Sequence, residues 1–368
     1  MAERFSYRSY GPGDEVAINE LYFAITGRQR TLAQFAWQWL DAPEGQGDMW
    51  LIEETDRDGR SKLIGHHGVM PIAFSNGSGD LVFGKTENTM VLPEYRSKIL
   101  YPRYEKKFIK EYRARYRALF STLGPPAAIR LRKAMGYEFP VRWSSMKYRI
   151  KPCGEILFLL EMVRKQFSRS YNQLKNPIRI ADREVCLREV GFLNPIESSS
   201  LPFFKSYWQL ARRNYGISPR REHRDLDWRF WKNPYKRYFS FVFEEDGGTG
   251  YCIFSLNDDN GFSVLLEDFN VKSNTDDERK LVFNAFTTLL RKAGIYWIDV
   301  NQTSDSALFA SNSIDSTVQL KSWNIIKLLG LAGNDNVGMP RKIVKEHSND
   351  FLGTVKWDIT GIVFEGTR

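Results

Sequence analysis

The stretch TENTMVLPEYRSKIL, residues 86–100, joins a long apolar strand pattern to a basic helix pattern. The sequence predicts a strand over 81–92 and a helix over about 97–115. The first turn of a helix carries unpaired backbone N–H groups and the positive end of the helix dipole, a combination that binds phosphate. Arg96 and Lys98 add positive charge at the same place. The segment therefore indicates a phosphate site, although a solvated basic turn has the same pattern.

The composition narrows the class of protein. The chain has 368 residues, of which 42% are hydrophobic and 26% charged, which is enough for two globular domains. Its formal charge of +9 favours an anionic partner: a nucleotide, a phosphate-bearing cofactor, a nucleic acid or a membrane surface. No apolar run reaches the roughly 20 residues of a membrane helix, and the N-terminus has no signal-peptide pattern.

The cysteine and histidine content argues against a disulfide-bonded scaffold and against a metal site. Cys153, Cys186 and Cys252 are far apart, which excludes a disulfide framework and a cysteine-rich zinc site. Only four histidines are present in the whole chain. We therefore expect a cytoplasmic protein that has no metal cofactor and does not span the membrane.

Helical and strand patterns alternate in both halves of the chain, which predicts an α/β (α+β) fold. The predicted helices are 14–25, 31–40, 97–115, 125–135, 202–215, 223–232, 277–292 and 305–330. The predicted strands are 49–54, 62–70, 81–92, 116–122, 238–243, 250–256, 262–271 and 295–300.

Two domains and a connector fit this order of elements. We expect a first domain at 1–150, a connecting helix at 151–177 and a second domain at 178–368. A tryptophan precedes a proline by six residues in each domain, at Trp37 and again at Trp228. Because the elements that follow have the same order, we interpret the two domains as products of a duplication.

Two stretches of the first half carry a resemblance to a known family. VLPEYRSK at 91–98 and AIRLRKAMGY at 128–137, in this order of elements, resemble the GNAT acyltransferase superfamily. LDWRF at 226–230, followed by Asn233-Pro234, is similar to tandem-domain GNAT proteins of surface-polysaccharide biosynthesis. The resemblance implies two GNAT-like domains, each a mixed, mostly antiparallel sheet flanked by helices. It also implies acetyl-CoA or another acyl-CoA as donor and a nucleotide-linked amino sugar as acceptor.

The resemblance places coenzyme A at the basic turn, where the superfamily has an Arg/Gln-x-x-Gly-x-Gly/Ala motif. If Arg96 takes the first position of this motif, Ile99 and Tyr101 occupy the two positions where the superfamily has Gly or Ala. The turn therefore has no glycine to let the backbone approach a phosphate closely. Arg132 stands where the superfamily often has a tyrosine acid, and we expect it to stabilise the thiolate or bind phosphate. The predicted cofactor-binding residues are Met90, Val91, Leu92, Arg96, Ser97, Lys98, Ile99, Leu100 and Arg132.

Acyl transfer to an amine needs a group that accepts a proton. Glu87 lies near the place where the superfamily often has its base, and strand alternation puts it on one face with Thr89 and Val91. His66 and His67 follow each other on the neighbouring strand, so only one of them can face the site. Glu87 and His67 are the predicted catalytic residues. A Glu87 ion pair and buried structural histidines are the alternatives.

The stretch 203–238 contains ten Lys or Arg residues against three Asp or Glu, interleaved with aromatic residues. Arginines bind phosphates and aromatic faces stack on bases, as a nucleotide-sugar site requires. We therefore predict that Trp208, Arg212, Arg224 and Arg229 bind the acceptor. The alternative is that Trp228 and Trp231 are core residues and that the arginines form a solvated rim.

Charge favours the first domain as the coenzyme A site. The corresponding turn of the second domain carries Asp276, Asp277 and Glu278, which would repel a pyrophosphate.

Three functions follow from these patterns. We favour an acyl-CoA-dependent N-acyltransferase whose acceptor amine attacks the thioester directly. The first alternative is an aminoacyl-tRNA-dependent transferase of the peptidoglycan type. The second is a non-catalytic nucleic-acid-binding protein that uses the stretch 203–238, a less favoured interpretation because the charge is concentrated in two separate places.

Overall fold

The fold is described from a computed structural model. The described residues are 4–98, 100–112, 114–121, 130, 132–134, 137–150, 177–257, 263–303 and 317–330. They fall into two compact units. The first takes the described residues up to Val141 and those from Asn324 onward, and the second takes those from Arg142 to Trp323.

Two helices and a set of long hairpins open the first unit. Its elements are β1 (Phe5–Ser9), α1 (Glu15–Thr26), α2 (Leu32–Trp39), β2 (Asp48–Thr55), β3 (Ser61–Ser75), β4 (Asp80–Val91), a 3-10 helix (Pro93–Lys98), α3 (Leu100–Tyr112), β5 (Ala118–Ser121) and the start of β6 (Glu138–Arg149). The capping box of Thr31 and Gln34 begins α2, and Gly27 ends α1 in the left-handed conformation.

The strands of the first unit form a mostly antiparallel sheet in the order β1-β2-β3-β4-β5. Strand β4 pairs with β5 in parallel, and all other neighbours in this run are antiparallel. Beyond β5 lies the end of the last strand, whose residues 327–330 pair antiparallel with β5. Strand β4 therefore lies inside the sheet, between a long antiparallel neighbour and a short parallel one.

Helices cover both faces of this sheet. On one face α3 contributes Leu100, Tyr104 and Phe108 to a buried cluster that also contains Trp50 and Val69. On the other face the Trp39 ring of α2 lies directly over Gly68 of β3, where a larger residue would clash with it. These two anchors define an α3 face and an α2 face, which are used below.

The second unit has a similar order of elements. They are the remainder of β6, α4 (Pro177–Glu189), α5 (Pro195–Ser200), α6 (Pro202–Ala211), a 3-10 helix (Arg212–Asn214), β7 (Ser218–Pro219), α7 (His223–Leu226), a π-helical turn (Asp227–Trp231), β8 (Tyr238–Glu245), β9 (Gly248–Leu256), β10 (Ser263–Val271), α8 (Asp276–Lys292), β11 (Trp297–Thr303) and the start of β12 (Thr317–Gly330).

Strands β6, β11, β10, β9 and β8 form the main sheet of the second unit in that order. The β10–β11 pair is parallel, and the other pairs are antiparallel. A core of aromatic and aliphatic side chains from β8, β9 and β10 packs against α8 through Val282, Phe286 and Leu290.

The expected fold class is therefore confirmed: two mixed, mostly antiparallel sheets are flanked by helices. One element is wrong. We predicted a helix over 305–330, but residues 317–330 form β12, because this segment supplies the strand that pairs with β5. Strand β6 was not predicted. The predicted helix at 125–135 lies mostly outside the described residues, as does the predicted connector at 151–177 apart from its last residue.

Among the residues that the structure describes, no helix is both long enough and apolar enough to cross a membrane.

Candidate active site

Strand β4 contains a β-bulge near its C-terminal end. Its pairing with β3 passes from Glu87 opposite Gly68 to Met90 opposite His66, so two residues of β4 oppose the single residue His67. The extra residue is accommodated because Asn88 adopts a φ of 45°. Asparagine tolerates this left-handed conformation better than other non-glycine residues. The bulge thus bends the strand at the polar run that the sequence marks as KTENT.

The bulge changes which side chains share a face of the sheet. Glu87 lies opposite Gly68 and therefore on the α2 face. Thr89 contacts His67, whose ring packs edge-on against Phe108 on the α3 face. The expectation that Glu87 shares a face with Thr89 and Val91 is therefore wrong, because the bulge inserts one residue into the alternation.

The parallel pairing between β4 and β5 ends just before the bulge. Its last register pair joins Lys85 to Phe120. Beyond this point, only β3 pairs with β4 among the described strands. We call the side of residues 86–92 that faces away from β3 the opening, because an extended ligand could pair there as an added strand does. Some backbone groups of this segment are already bonded: the Leu92 N–H donates to the Ile64 carbonyl, and the Val91 carbonyl accepts from Arg96. The three predicted residues Met90, Val91 and Leu92 lie in this segment.

Arg132 lies at the end of β5, on the other side of this opening. Its Nη1 donates a hydrogen bond to the Ser121 hydroxyl, and its guanidinium lies 5.7 Å from the centre of the Tyr137 ring. The Tyr137 hydroxyl donates to the Glu105 carboxylate. Arg132 is only 6% exposed, so its charge acts in a medium poor in water. A cation held in this way can stabilise negative charge that develops in the opening.

The two histidines of β3 contact the two bulged residues of β4. His66 Nδ1 lies 2.8 Å from the Asn88 carbonyl oxygen, and His67 Nδ1 lies 3.1 Å from the Thr89 hydroxyl. Burial lowers the pKa of His66 to about 4. Burial and then the Arg132 charge hold the pKa of His67 well below its usual value. Both imidazoles are therefore neutral near pH 7 and have a ring nitrogen that could accept a hydrogen bond or a proton.

Glu87 forms an ion pair with Lys85, two residues earlier on the same strand. The side chains are 4% and 0% exposed respectively, so the pair is shielded from water. This is the ion-pair alternative considered for Glu87. A carboxylate in a buried pair is firmly held, which makes it a structural element of the α2 face and limits its reach toward the opening.

The segment after β4 is a 3-10 helix and not an open turn. It spans Pro93–Lys98, and α3 begins only at Leu100. Arg96, Ser97 and Lys98 are exposed on it, and Arg96 Nε donates to the Val91 carbonyl at 3.1 Å.

Only part of the predicted phosphate turn can act through side chains. The Leu100 side chain is buried in the core, so that residue can contribute only its backbone. Ile99 lies outside the described residues.

The corresponding turn of the second unit is filled by its own carboxylate. Glu278 in the first turn of α8 accepts hydrogen bonds from the backbone N–H of Ser273 at 2.6 Å and of Thr249 at 3.0 Å. A phosphate bound at this turn would have to displace that carboxylate. The bound Glu278 carboxylate therefore supports the same conclusion as the charges, namely that the first unit is the better phosphate site.

Two of the four predicted acceptor residues, Trp208 and Arg229, are buried. Trp208 is 2% exposed and lies 5.6 Å from the buried Arg221 guanidinium, which is paired with Asp268. Arg229 is 5% exposed. These two side chains pack inside the protein and therefore offer no exposed face for stacking or for binding a phosphate. Arg212 is half-buried, and Arg224 is exposed beside Glu222.

No group of three or more His, Cys, Asp or Glu side chains that could hold a metal ion occurs among the described residues.

The sequence did not single out Asn88 and Ser121 as site residues, whereas it offered Lys85 as an ion-pair partner of Glu87 and Tyr137 as part of the motif that carries the resemblance. A polar run inside an apolar strand was the available signal for Asn88. Ser121 and Tyr137 belong to the site because both contact Arg132.

Comparison with known proteins identifies the fold. No family model and no curated protein matches the sequence. Solved structures do match. A GCN5-related N-acetyltransferase from Anabaena variabilis has a TM-score of 0.55 at 12% identity, over 89% of this chain and 73% of that one. A conserved Enterococcus faecalis protein of unknown function, described as a probable N-acyltransferase, has a TM-score of 0.56 at 11% identity, over 89% and 73%.

A GCN5-related N-acetyltransferase from Kribbella flavida has a TM-score of 0.53 at 9% identity, over 89% of this chain and 72% of that one. At these identities the similarity shows the fold alone. The chain therefore has the fold of GCN5-related N-acetyltransferases, and the bulged β4 with its opening toward β5 lies within that fold.

Proposed function

We propose that this protein is an acyl-CoA-dependent N-acyltransferase. The observation that carries the proposal is the bulge in β4 at the place where its pairing with β5 stops. An acyl-CoA whose pantetheine arm is extended could hydrogen-bond along Met90–Leu92. Its phosphates would lie near Arg96, Ser97, Lys98 and the start of α3, and the similar solved structures include N-acetyltransferases.

The proposed reaction is a direct transfer. The nitrogen of a neutral amine attacks the thioester carbonyl, a C–N bond forms, and the C–S bond to coenzyme A breaks. Backbone N–H groups of β4 and the Arg132 guanidinium would stabilise the carbonyl oxygen as it becomes negative. The amine proton goes to a base, and the departing thiolate takes up a proton from the medium.

His67 is the better placed of the two predicted bases. Its ring is buried but contacts the hydroxyl of Thr89, a residue that is exposed at the bulge. Its lowered pKa keeps it unprotonated and able to accept a proton. Glu87 stays a candidate on the α2 face, where its ion pair with Lys85 limits its mobility.

We propose a nucleotide-linked amino sugar as the acceptor. Support comes from the charge of +9 and from the exposed Arg224 and half-buried Arg212 of the second unit. The alternatives of a tRNA-dependent transferase or a nucleic-acid-binding protein gain no specific support, because Arg220 and Arg221 already pair with Asp225 and Asp268. The cysteine content of the sequence is our reason for proposing a cytoplasmic location.

A thiol-release assay tests the proposal. Acetyl-CoA and longer acyl-CoAs are combined with a panel of nucleotide amino sugars, simple amino sugars and amines, and free thiol is measured. Arg132→Met should lower kcat about a hundredfold if the guanidinium stabilises the reacting oxygen or thiolate. The matched control is Lys110→Ala, an exposed cation of α3, which should react at the wild-type rate. Calorimetry that detects no binding of coenzyme A or any acyl-CoA would refute the proposal.

A further inference from the structure

The bulge of β4 is held from β3 by two consecutive histidines. His66 contacts the backbone of Asn88, whereas His67 contacts the side chain of Thr89. Only the first contact acts on the residue with the left-handed backbone. A backbone contact also survives any change of the bulged side chain. His66 is therefore the residue that bears directly on the shape of the bulge.

The hydrogen bond determines the tautomer of His66. A carbonyl oxygen only accepts, so His66 Nδ1 must carry the proton and donate it to Asn88. The neutral ring then has a lone pair on Nε2, for which the described residues provide no hydrogen-bond partner. Two charged or titratable side chains interact with the His66 ring: Arg30, which lowers the pKa of His66, and the neighbouring His67. His66 is thus a neutral donor over the whole range in which the protein would be assayed.

Packing fixes the ring in this orientation. Trp39 of α2 lies edge-on to His66, with ring centres 5.5 Å apart. Trp39 is itself held against Gly68 and Gly47, where side chains would collide with it. The His66 side chain is fully buried. The Trp39 contact and burial orient the ring so that its Nδ1 meets the Asn88 carbonyl.

We propose that His66 is a positioning residue for the acyl-transfer reaction, because its Nδ1–H bond to Asn88 fixes the bulge and hence the register of Met90–Leu92. The inference rests on the proposed function. The left-handed conformation costs free energy even for asparagine, which tolerates it best among non-glycine residues, so contacts that hold Asn88 contribute to the persistence of the bulge. If the bulge moved by one residue, the backbone groups of β4 that face the opening would exchange with those that face β3. The acyl donor would then lose its binding partners.

A second role is chemically open to the same ring and is the rival outcome of the test. The free lone pair on Nε2 would allow His66 to accept the proton of the amine. The two roles use different ring nitrogens. Asparagine places a donor N–H where histidine has Nδ1 but carries no base, so His66→Asn separates them. His66→Leu removes both nitrogens and keeps an apolar side chain against Trp39.

The experiment measures kcat, KM for acyl-CoA and the pH profile of kcat/KM for wild type, His66→Asn and His66→Leu. Far-UV circular dichroism and melting curves confirm that each variant is folded. We expect His66→Leu to lower kcat by about tenfold to a hundredfold, as misplacement of reacting groups does. His66→Asn should recover most of that loss, and the acid limb of the pH profile should be unchanged in both variants.

Hydrogen–deuterium exchange gives a readout that does not need turnover. The amides of residues 88–92 should exchange faster in His66→Leu than in wild type or His66→Asn. Equal inactivity of both variants with loss of the acid limb would overturn the positioning role and identify His66 as the base. Wild-type turnover by His66→Leu would also overturn it. Wild-type protein that releases no thiol from any acyl-CoA would refute the proposed function itself, whatever the exchange data show.

Discussion

Replacement of Glu87 by glutamine tests the buried ion pair of β4 and the role of Glu87 together. The change keeps the size and shape of the side chain and removes its charge. It leaves the Lys85 ammonium inside the sheet without this carboxylate. Breaking a buried pair from one side is destabilising because the remaining charge stays desolvated.

The size of the effect follows from the burial. With 0% of Lys85 and 4% of Glu87 exposed, water cannot replace the lost counter-charge. Loss of one partner of such a pair costs about 3–5 kcal/mol. Each kcal/mol lowers the melting temperature of a unit of this size by roughly 2–4 °C, so the first unit should melt roughly 6–20 °C lower.

The melting transition, measured by calorimetry, and the activity, measured by thiol release, are compared for this variant and two others. Lys85→Met/Glu87→Leu removes both charges and should recover most of the lost stability. Glu94→Gln, in the exposed Lys62–Glu94 pair at 3.9 Å, is the matched control and should change stability by less than about 1 kcal/mol. A Glu87→Gln protein that melts with the wild type would refute the buried-pair argument. A stable but inactive double variant would identify Glu87 as the proton acceptor.

Three further predictions address other features. Because burial lowers the pKa of His66 to about 4 from 6.5, the unfolded chain binds more protons between these values, so His66 alone should contribute a loss of about 3 kcal/mol in the stability of the first unit as pH falls through this range. Urea titrations should show that His66→Asn flattens this slope, and an unchanged slope would contradict it. Gly84→Ala would place a methyl group 2.5 Å from Leu119 Cδ2 and should cost about 1–3 kcal/mol in melting experiments; a neutral result would show that β5 can move. Glu278→Ala removes the acceptor of the Ser273 N–H and should destabilise the second unit by about 1.5–3 kcal/mol. Calorimetry measures this change, and an unshifted melting transition would disprove the prediction.

The hairpins of the first unit could be predicted closely from the sequence. Strand β4 was predicted over 81–92 and is observed over Asp80–Val91, because Gly and Asn mark the turn before it and Pro93 follows it. Helix α8 was similarly well predicted, since three acidic residues and Thr275 mark its start. Local chemistry decides these boundaries, so no tertiary contact was needed.

The end of the chain shows where local reasoning fails. Residues 317–330 contain isoleucines and leucines at spacings compatible with a helix, yet they form a strand, four residues of which pair with β5. Strand pairing between residues about 200 positions apart cannot be read from periodicity. The 3-10 helix at Pro93–Lys98 was missed for a related reason, because only its connection to α3 decides how the turn closes.

The location of the site stays a prediction, and the structure adds a local shape to it that the sequence did not predict. The stretch from Met90 to Lys98 directly follows the bulge of β4. The bulge itself could not be predicted, because it depends on the pairing of Glu87 with Gly68 and of Met90 with His66. Core packing is the alternative that the sequence offers for Trp228 and Trp231, and Trp208 is buried as well, because composition does not distinguish a core aromatic residue from a stacking surface.

The central claim is that an acyl-CoA binds in the first unit along the open side of β4. A crystal structure of the protein with coenzyme A tests it most directly. We predict pantetheine density beside residues 86–92 on the β5 side, with the phosphates close to Arg96 and Lys98 and the sulfur near Arg132. Coenzyme A bound along β10 of the second unit, or a crystal that takes up none at saturating concentration, would contradict the claim.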